Sequence, residues 1–189
     1  MSNDEIIQKL LVEHLYNQKV MDNRERGSYA EAMVWQTLYA THSAWEWVAA
    51  GWHPWDFQKN RGVKRIRIQL KQSAAKQLWK PRSKPVYAFS TQIKNKPSYF
   101  LRDHPDEHIE EQGRFCELFI FAWHGISDET CDQRNTSQWL FYVIPEKSLG
   151  KQKRVMLSDL ESPWLEQNGG YKTSWDELAK VVEQLSENL

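Results

Sequence analysis

The chain has 189 residues, 40% of them hydrophobic, and carries 25 Lys and Arg against 25 Asp and Glu. That length suits one globular domain with a sizeable core, so residues 1–189 are expected to form a single unit. No run of about 18 apolar residues offers a membrane span, and the acidic, amphipathic start MSNDEIIQKLLVEHL is unlike a secretory signal. Cys116 and Cys131 belong to no CxxC pair, which fits a reduced, cytoplasmic protein.

The neutral total conceals an uneven distribution. From Phe57 to Arg102 there is no Asp or Glu but there are 13 Lys and Arg, leaving 12 basic and 25 acidic side chains elsewhere. Such asymmetry is the electrostatic footprint of a polyanion binder. A merely solvated face would mix signs. The 10 tryptophans must largely pack inside, so aromatic content alone is no argument for base stacking.

In chain order, residues 3–20 show a three-to-four spacing of Ile6/Ile7, Leu10/Leu11 and His14/Leu15, an amphipathic helix opened by a Ser2–Glu5 capping box. Asp22 to Gly27 reads as a turn, and Ser28 opens a second helix buried through Ala30, Met33, Val34, Thr37 and Leu38. A strand is expected through Trp52 to Phe57, then a turn at Asn60-Arg61-Gly62. Val63 to Lys71 alternates: Ile66, Ile68 and Leu70 on one face, Arg65, Arg67, Gln69 and Lys71 on the other, the pattern of a half-buried strand. The turn makes the two strands a hairpin, which brings Asp56 toward Gln69 and Lys71.

Further on, Val86 to Ser90 reads as a short strand and Asn95 to Gly113 as a long polar loop. Cys116 to Trp123 and Gln138 to Ile144 are continuous apolar runs, the pattern of strands buried on both faces. Arg154 to Leu157 reads as an edge strand, and Ser174 with Glu177 opens a final helix. These elements sum to an α/β sandwich with a mixed central sheet.

Within Gly51 to Ser73, an Asp followed about a dozen residues later by Gln-x-Lys at the end of a strand resembles the core of the PD-(D/E)XK nucleases. It would be a variant with Gln69 in the second acidic position and Trp55 in place of proline. The resemblance covers about residues 27–123 and implies a restriction-endonuclease-like sandwich, a mixed β-sheet flanked by helices. A literal Pro105-Asp106 exists, but its downstream acid, Glu117, is followed by Leu118-Phe119 and no lysine. A second Gln-x-Lys, Gln92-Ile93-Lys94, lies further from Asp56 and lacks the alternation.

The resemblance implies an Mg²⁺-dependent endonuclease (Mn²⁺ as an alternative ion) acting on nucleic acid, with duplex DNA as the default partner. Asp56 would be the principal metal ligand, Gln69 would offer its amide oxygen, and the main-chain carbonyl of Leu70 another. Lys71 would orient the attacking water or stabilise charge on phosphate. Glu31 keeps two readings: Ser28-x-x-Glu31 fits a capping box, whereas in the resembled family a Glu on this helix often faces the metal.

Lys59, Arg61, Lys64 and Arg65 are candidate nucleic-acid contacts from the basic run. Arg67, Gln72, Ser73 and Lys76 extend that set. Cleavage of both strands would need a dimer or a second nick, and a homodimer is the leaning. Two other classes stay open: a nuclease fold decayed into a DNA- or RNA-binding module, and a protein-interaction domain with no site at all. Cys116, His124 and Cys131 match no zinc spacing, and no phosphate-loop, GxSxG or GxGxxG motif is present.

Overall fold

A computed structural model describes residues 2–48, 53–62, 64–79, 86–105 and 109–189. Helix α1 spans Asn3–Tyr16 and α2 Asn23–Thr41; strands β1 (Glu46–Trp47), β2 (Phe57–Arg61) and β3 (Lys64–Ala74) follow. Then come β4 (Ala88–Ser90), β5 (Lys94–Asn95), α3 (Ser98–Asp103), β6 (Gln112–Gly113), β7 (Leu118–His124) and β8 (Trp139–Pro145). The chain closes with β9 (Arg154–Met156), α4 (Leu157–Leu160), α5 (Trp164–Gln167), β10 (Tyr171–Thr173) and α6 (Trp175–Glu187).

The fold is α/β, built on a mixed six-stranded sheet in the order β1-β2-β3-β7-β8-β10. Its neighbours pair antiparallel except β3 and β7, which run parallel from Ile68↔Leu118 to Ala74↔His124. The crossover between these two strands carries β4, β5, α3 and β6.

Period-two alternation divides the sheet's side chains between two cores. Ile66, Ile68 and Leu70 of β3, with Leu118, Ile120 and Ala122 of β7, pack against α2 and α6. Phe119, Phe121 and Trp123, the alternate residues of β7, pack on the opposite face with Phe89, Phe100, Val155, Leu160 and Leu165. Gln69 and Lys71 belong to the alternation opposite Ile68 and Leu70.

Several expected boundaries move. The Ser2–Glu5 capping box forms, but α1 ends at Tyr16, and none of its residues is buried. The second helix does not open at Ser28. Asp22 is its cap, accepting from Arg24 and Glu25 amides at 2.8 Å, and Glu25 closes the box. Ser28 and Glu31 therefore lie inside the helix, and the capping reading of Glu31 is withdrawn. The strand expected up to Phe57 instead begins there and runs to Arg61, with Asp56 in the bend before it. The hairpin turn holds, Gly62 taking a φ of 59° that side chains with a Cβ avoid. Expected features at Gly51, Trp52, Val63 and Asp106, and the cations Lys80, Arg82 and Lys84, fall outside the described residues.

Lys59 corrects another expectation. It is only 5% exposed, bonded to the Glu183 carboxylate of α6 and set 4.8 Å from the Trp45 ring centroid. A nucleic acid cannot reach it; the side chain fastens α6 to the sheet. Removing one partner of such a pair strands the other charge. Glu183→Ala is expected to cost about 3 kcal/mol in urea unfolding, and the joint replacement Lys59→Met/Glu183→Leu to restore most of that loss.

Candidate functional site

The site begins where β2 leaves β3. Pairing between them runs from Arg61↔Lys64 to Phe57↔Ile68, so beyond Ile68 no strand of the described residues pairs with this edge of β3. Asp56 sits at the parting. Its amide donates to the Ile68 carbonyl at 2.9 Å, and its Oδ2 accepts from the Leu70 amide at 2.6 Å. An amide left bare by the departing strand is thus satisfied by a side chain. Because N–H and C=O of one strand residue point to the same edge, the Leu70 carbonyl also opens toward Asp56. Oδ1 of Asp56 makes no hydrogen bond among the described residues.

Gln69 is buried and donates Nε2 to the Pro54 carbonyl at 3.2 Å, which leaves Oε1 unengaged among the described residues. Glu31 reaches the same place from α2. Its Oε2 accepts from the Trp47 indole at 3.1 Å, and its charge acts on both Asp56 and Lys71. Lys71 is half-buried, and no hydrogen bond or ion pair reaches its ammonium among the described residues.

The electrostatics describe three ionisable groups that act on one another and that burial outweighs. Burial pushes Asp56 above the ordinary carboxylate range, against the opposing pull of Lys71, the Leu70 amide and Lys94. Burial first, and then the Asp56 charge, push Glu31 up as well, the Trp47 indole and Lys71 working the other way. Burial also pushes Lys71 down, opposed by Asp56 and Glu31 and assisted by Lys94.

The oxygens assembled here are two carboxylates, an amide and a main-chain carbonyl, a hard donor set. Magnesium retains several waters, so few protein oxygens suffice, and a cation would offset the Asp56 charge that, after burial, raises Glu31. Among the described residues, no three His, Cys, Asp or Glu side chains gather as a metal cage. An ion held here would rely on Gln69 and Leu70 beside the two acids.

The structure brings Asp56, Glu31, Gln69, Leu70 and Lys71 together, but it scatters the basic residues. Arg61 Nη1 donates to the Ser186 carbonyl at 3.0 Å and Lys64 to that of Leu189, serving the C-terminal end of α6, whose own last turn has no basic residue. Arg65 bonds the Asn60 side chain at 3.3 Å. Arg67 is paired with Glu117 at 2.6 and 3.2 Å and lies 5.0 Å from the Trp55 ring centroid, which also settles the rival role of Glu117.

Gln72 accepts from Arg26 Nε at 2.6 Å and donates to Asn23, tying β3 to α2 rather than meeting phosphate. Ser73 is half-buried beside it, and Lys76 donates to the Asp128 carbonyl at 2.7 Å. Arg61, Lys64 and Arg65 lie at the hairpin tip, about 23 Å from Lys71 along the strand. Among the described residues, these cations are therefore drawn into contacts within the fold, while Lys80, Arg82 and Lys84 of the same run lie outside the described residues.

Two residues join the site that the sequence did not nominate. Lys94, from the rejected second Gln-x-Lys, acts electrostatically on both Asp56 and Lys71. Trp47 lies in the tryptophan-rich stretch Trp45-Glu46-Trp47-Val48, and its indole holds Glu31. No protein-family model, curated protein or solved structure matches the chain.

The shifts carry a sign that stability can test. Asp56 is raised in the fold, so its contribution is present at acid pH and lost as pH climbs through the folded value. Lys71 is lowered, so its contribution is present at alkaline pH and lost as pH falls through its folded value. Burial thus makes the charged form of each group the costly one. Asp56→Asn is expected to melt at or above the wild-type temperature at pH 7, the difference closing toward pH 3. Lys71→Met should do the same, with its difference closing toward alkaline pH. A lowered melting temperature in both at pH 7 would make them a stabilising pair instead.

Proposed function

We propose that this protein is a metal-dependent nuclease with a restriction-endonuclease-like fold, hydrolysing phosphodiester bonds of DNA at the β2–β3 fork. One observation carries the reading: Asp56, Glu31 and Lys71 converge at a strand edge that also offers Gln69 and the Leu70 carbonyl. The roles follow from the atoms available. Asp56 Oδ1 and the Glu31 carboxylate would hold Mg²⁺ or Mn²⁺, with Gln69 Oε1 and the Leu70 carbonyl as neutral ligands. A divalent ion so held supplies Lewis acidity and a more acidic bound water.

Lys71 lies one alternation from Gln69 and is poised to steady the attacking water or the charge growing on phosphate. Its lowered pKa means that it exchanges its proton nearer neutral pH than an ordinary lysine does. Lys94 adds a second positive charge over the same ground.

A second reading, a module that binds nucleic acid without cutting it, is favoured by one feature. Gln69 donates to Pro54 and brings no charge, so the site has two acids rather than three. The two readings part on cleavage of supercoiled plasmid with Mg²⁺ or Mn²⁺. Nicking or linearisation is expected, reduced at least about a hundredfold by Asp56→Ala and by Lys71→Ala, on the scale of losing one transition-state contact. Gln69→Glu should raise metal affinity, read as a larger rise in melting temperature at low Mn²⁺. Retained binding with no cleavage by the wild type would select the second reading.

A further inference from the structure

Beside the fork, α2 and β1 present aromatic rings to solvent. Glu31, Trp35 and Tyr39 follow at four-residue intervals, so they lie along one face of α2 over about 12 Å. Trp47 of β1 packs beside them, its ring centroid 6.0 Å from that of Trp35, and Trp35 lies 5.0 Å from Tyr39. The rings are tilted by 30–31° rather than closed into a stack. Trp47 is 39% exposed and Tyr39 47%. In the sheet Trp47 is registered with Phe57, and the next residue, Val48, donates to the Asp56 carbonyl at 3.0 Å. The strip therefore starts one strand over from Asp56 and one hydrogen bond from Glu31.

We infer that the Trp47–Trp35–Tyr39 strip is a stacking platform for unpaired nucleobases next to the phosphate held at the fork. The substrate is then a strand with single-stranded character at the cut, which a negatively supercoiled plasmid supplies where its strands part and a short blunt duplex does not. This rests on the phosphodiesterase reading of the fork. Three observations favour bases over a protein partner. The strip is continuous with the candidate site through the Trp47–Glu31 bond. It is made of flat rings with polar edges, which stack on any base, whereas the exposed Ile7, Leu10 and Leu11 of α1 form the aliphatic face more suited to protein. The hairpin cations that would grip a duplex are engaged at α6 and Glu117 instead.

The test uses the full chain carrying Asp56→Asn, in EDTA, with fluorescein-labelled dT12 and a blunt 12-base-pair duplex as probes. Trp47→Ala and Tyr39→Ala are each expected to weaken dT12 binding about tenfold and to change duplex binding less than twofold. Trp47→Phe, which keeps a ring and loses the bond to Glu31, should restore most of the affinity. Single-strand binding indifferent to both alanines would overturn the platform, as would substitutions that instead convert a dimer to monomer in gel filtration. Melting temperatures of the variants identify any loss due to misfolding, and Tyr39→Leu, which keeps bulk and helix propensity but lacks the ring, then serves as the milder replacement. The two readings fail separately: without the nuclease activity, wild-type protein binds and does not cut, while without the platform it cuts and the alanines bind dT12 normally.

Discussion

Everything at the fork follows from β2 stopping at Phe57 while β3 continues six residues past their last shared pair, Phe57↔Ile68. A strand edge left open inside a protein exposes donors and acceptors that must find partners. Here the first bare amide is met by Asp56, which thereby becomes fixed in place by the requirement it satisfies. β7, running parallel on the other side, holds β3 straight through Ala74 and keeps Gln69 and Lys71 on a rigid element. Side chains on a strand pinned from one side are placed more closely than those on a loop. Glu31 is brought in by α2, which is itself anchored to the end of β3 through the Gln72, Arg26 and Asn23 bonds.

The charges treated differently in this molecule define the site. Lys59 is matched by Glu183, Arg67 by Glu117, and buried Arg114 by Glu146 together with the carbonyls of Thr91, Gly150 and Gln152. The fold thus pairs these three charges with acids, and buried Arg26 it meets with Gln72, Asn23 and the Met21 carbonyl. At the fork two acids are raised and a lysine is lowered, each by burial before any other cause. Charge that is buried and left uncompensated opposes folding, and such departures concentrate where a ligand is meant to complete the set.

Much of this was legible because β3 alternates strictly. Period two, read from Ile66 to Lys71, placed Gln69 and Lys71 on the face they occupy, and Asn60-Arg61-Gly62 announced the turn that returns Asp56 to them. The apolar runs read as buried strands are β7 and β8, buried on both faces as a central position requires. Glu31 was ambiguous for a local reason: Ser28-x-x-Glu31 mimics the box that Asp22 and Glu25 form six residues earlier, and pattern alone does not rank two neighbouring boxes. The fate of the basic run was not local at all. Glu183, Ser186 and Leu189 lie more than 100 residues beyond the cations they hold, so a charge count along the chain could not see that the run's partners arrive with α6. Lys94 was set aside for lacking alternation, a test of strands, whereas it reaches the site from a two-residue strand where periodicity has no meaning.

That redistribution bears on how a polyanion could be held. Non-specific affinity for a duplex comes from many cations along one surface, each releasing counterions. With Arg61 and Lys64 turned to helix α6 and Arg67 to Glu117, the positive charges acting on the fork among the described residues are those of Lys71 and Lys94. A site with so few phosphate contacts must draw its grip from elsewhere, from an ion bridging carboxylate and phosphate or from ring surface. Both lie beside Glu31, whose carboxylate is bonded to Trp47 and whose charge acts on Asp56 and Lys71. Glu31 is therefore the hinge of the reading: remove it, and the charged fork and the aromatic strip become two unrelated features of one surface.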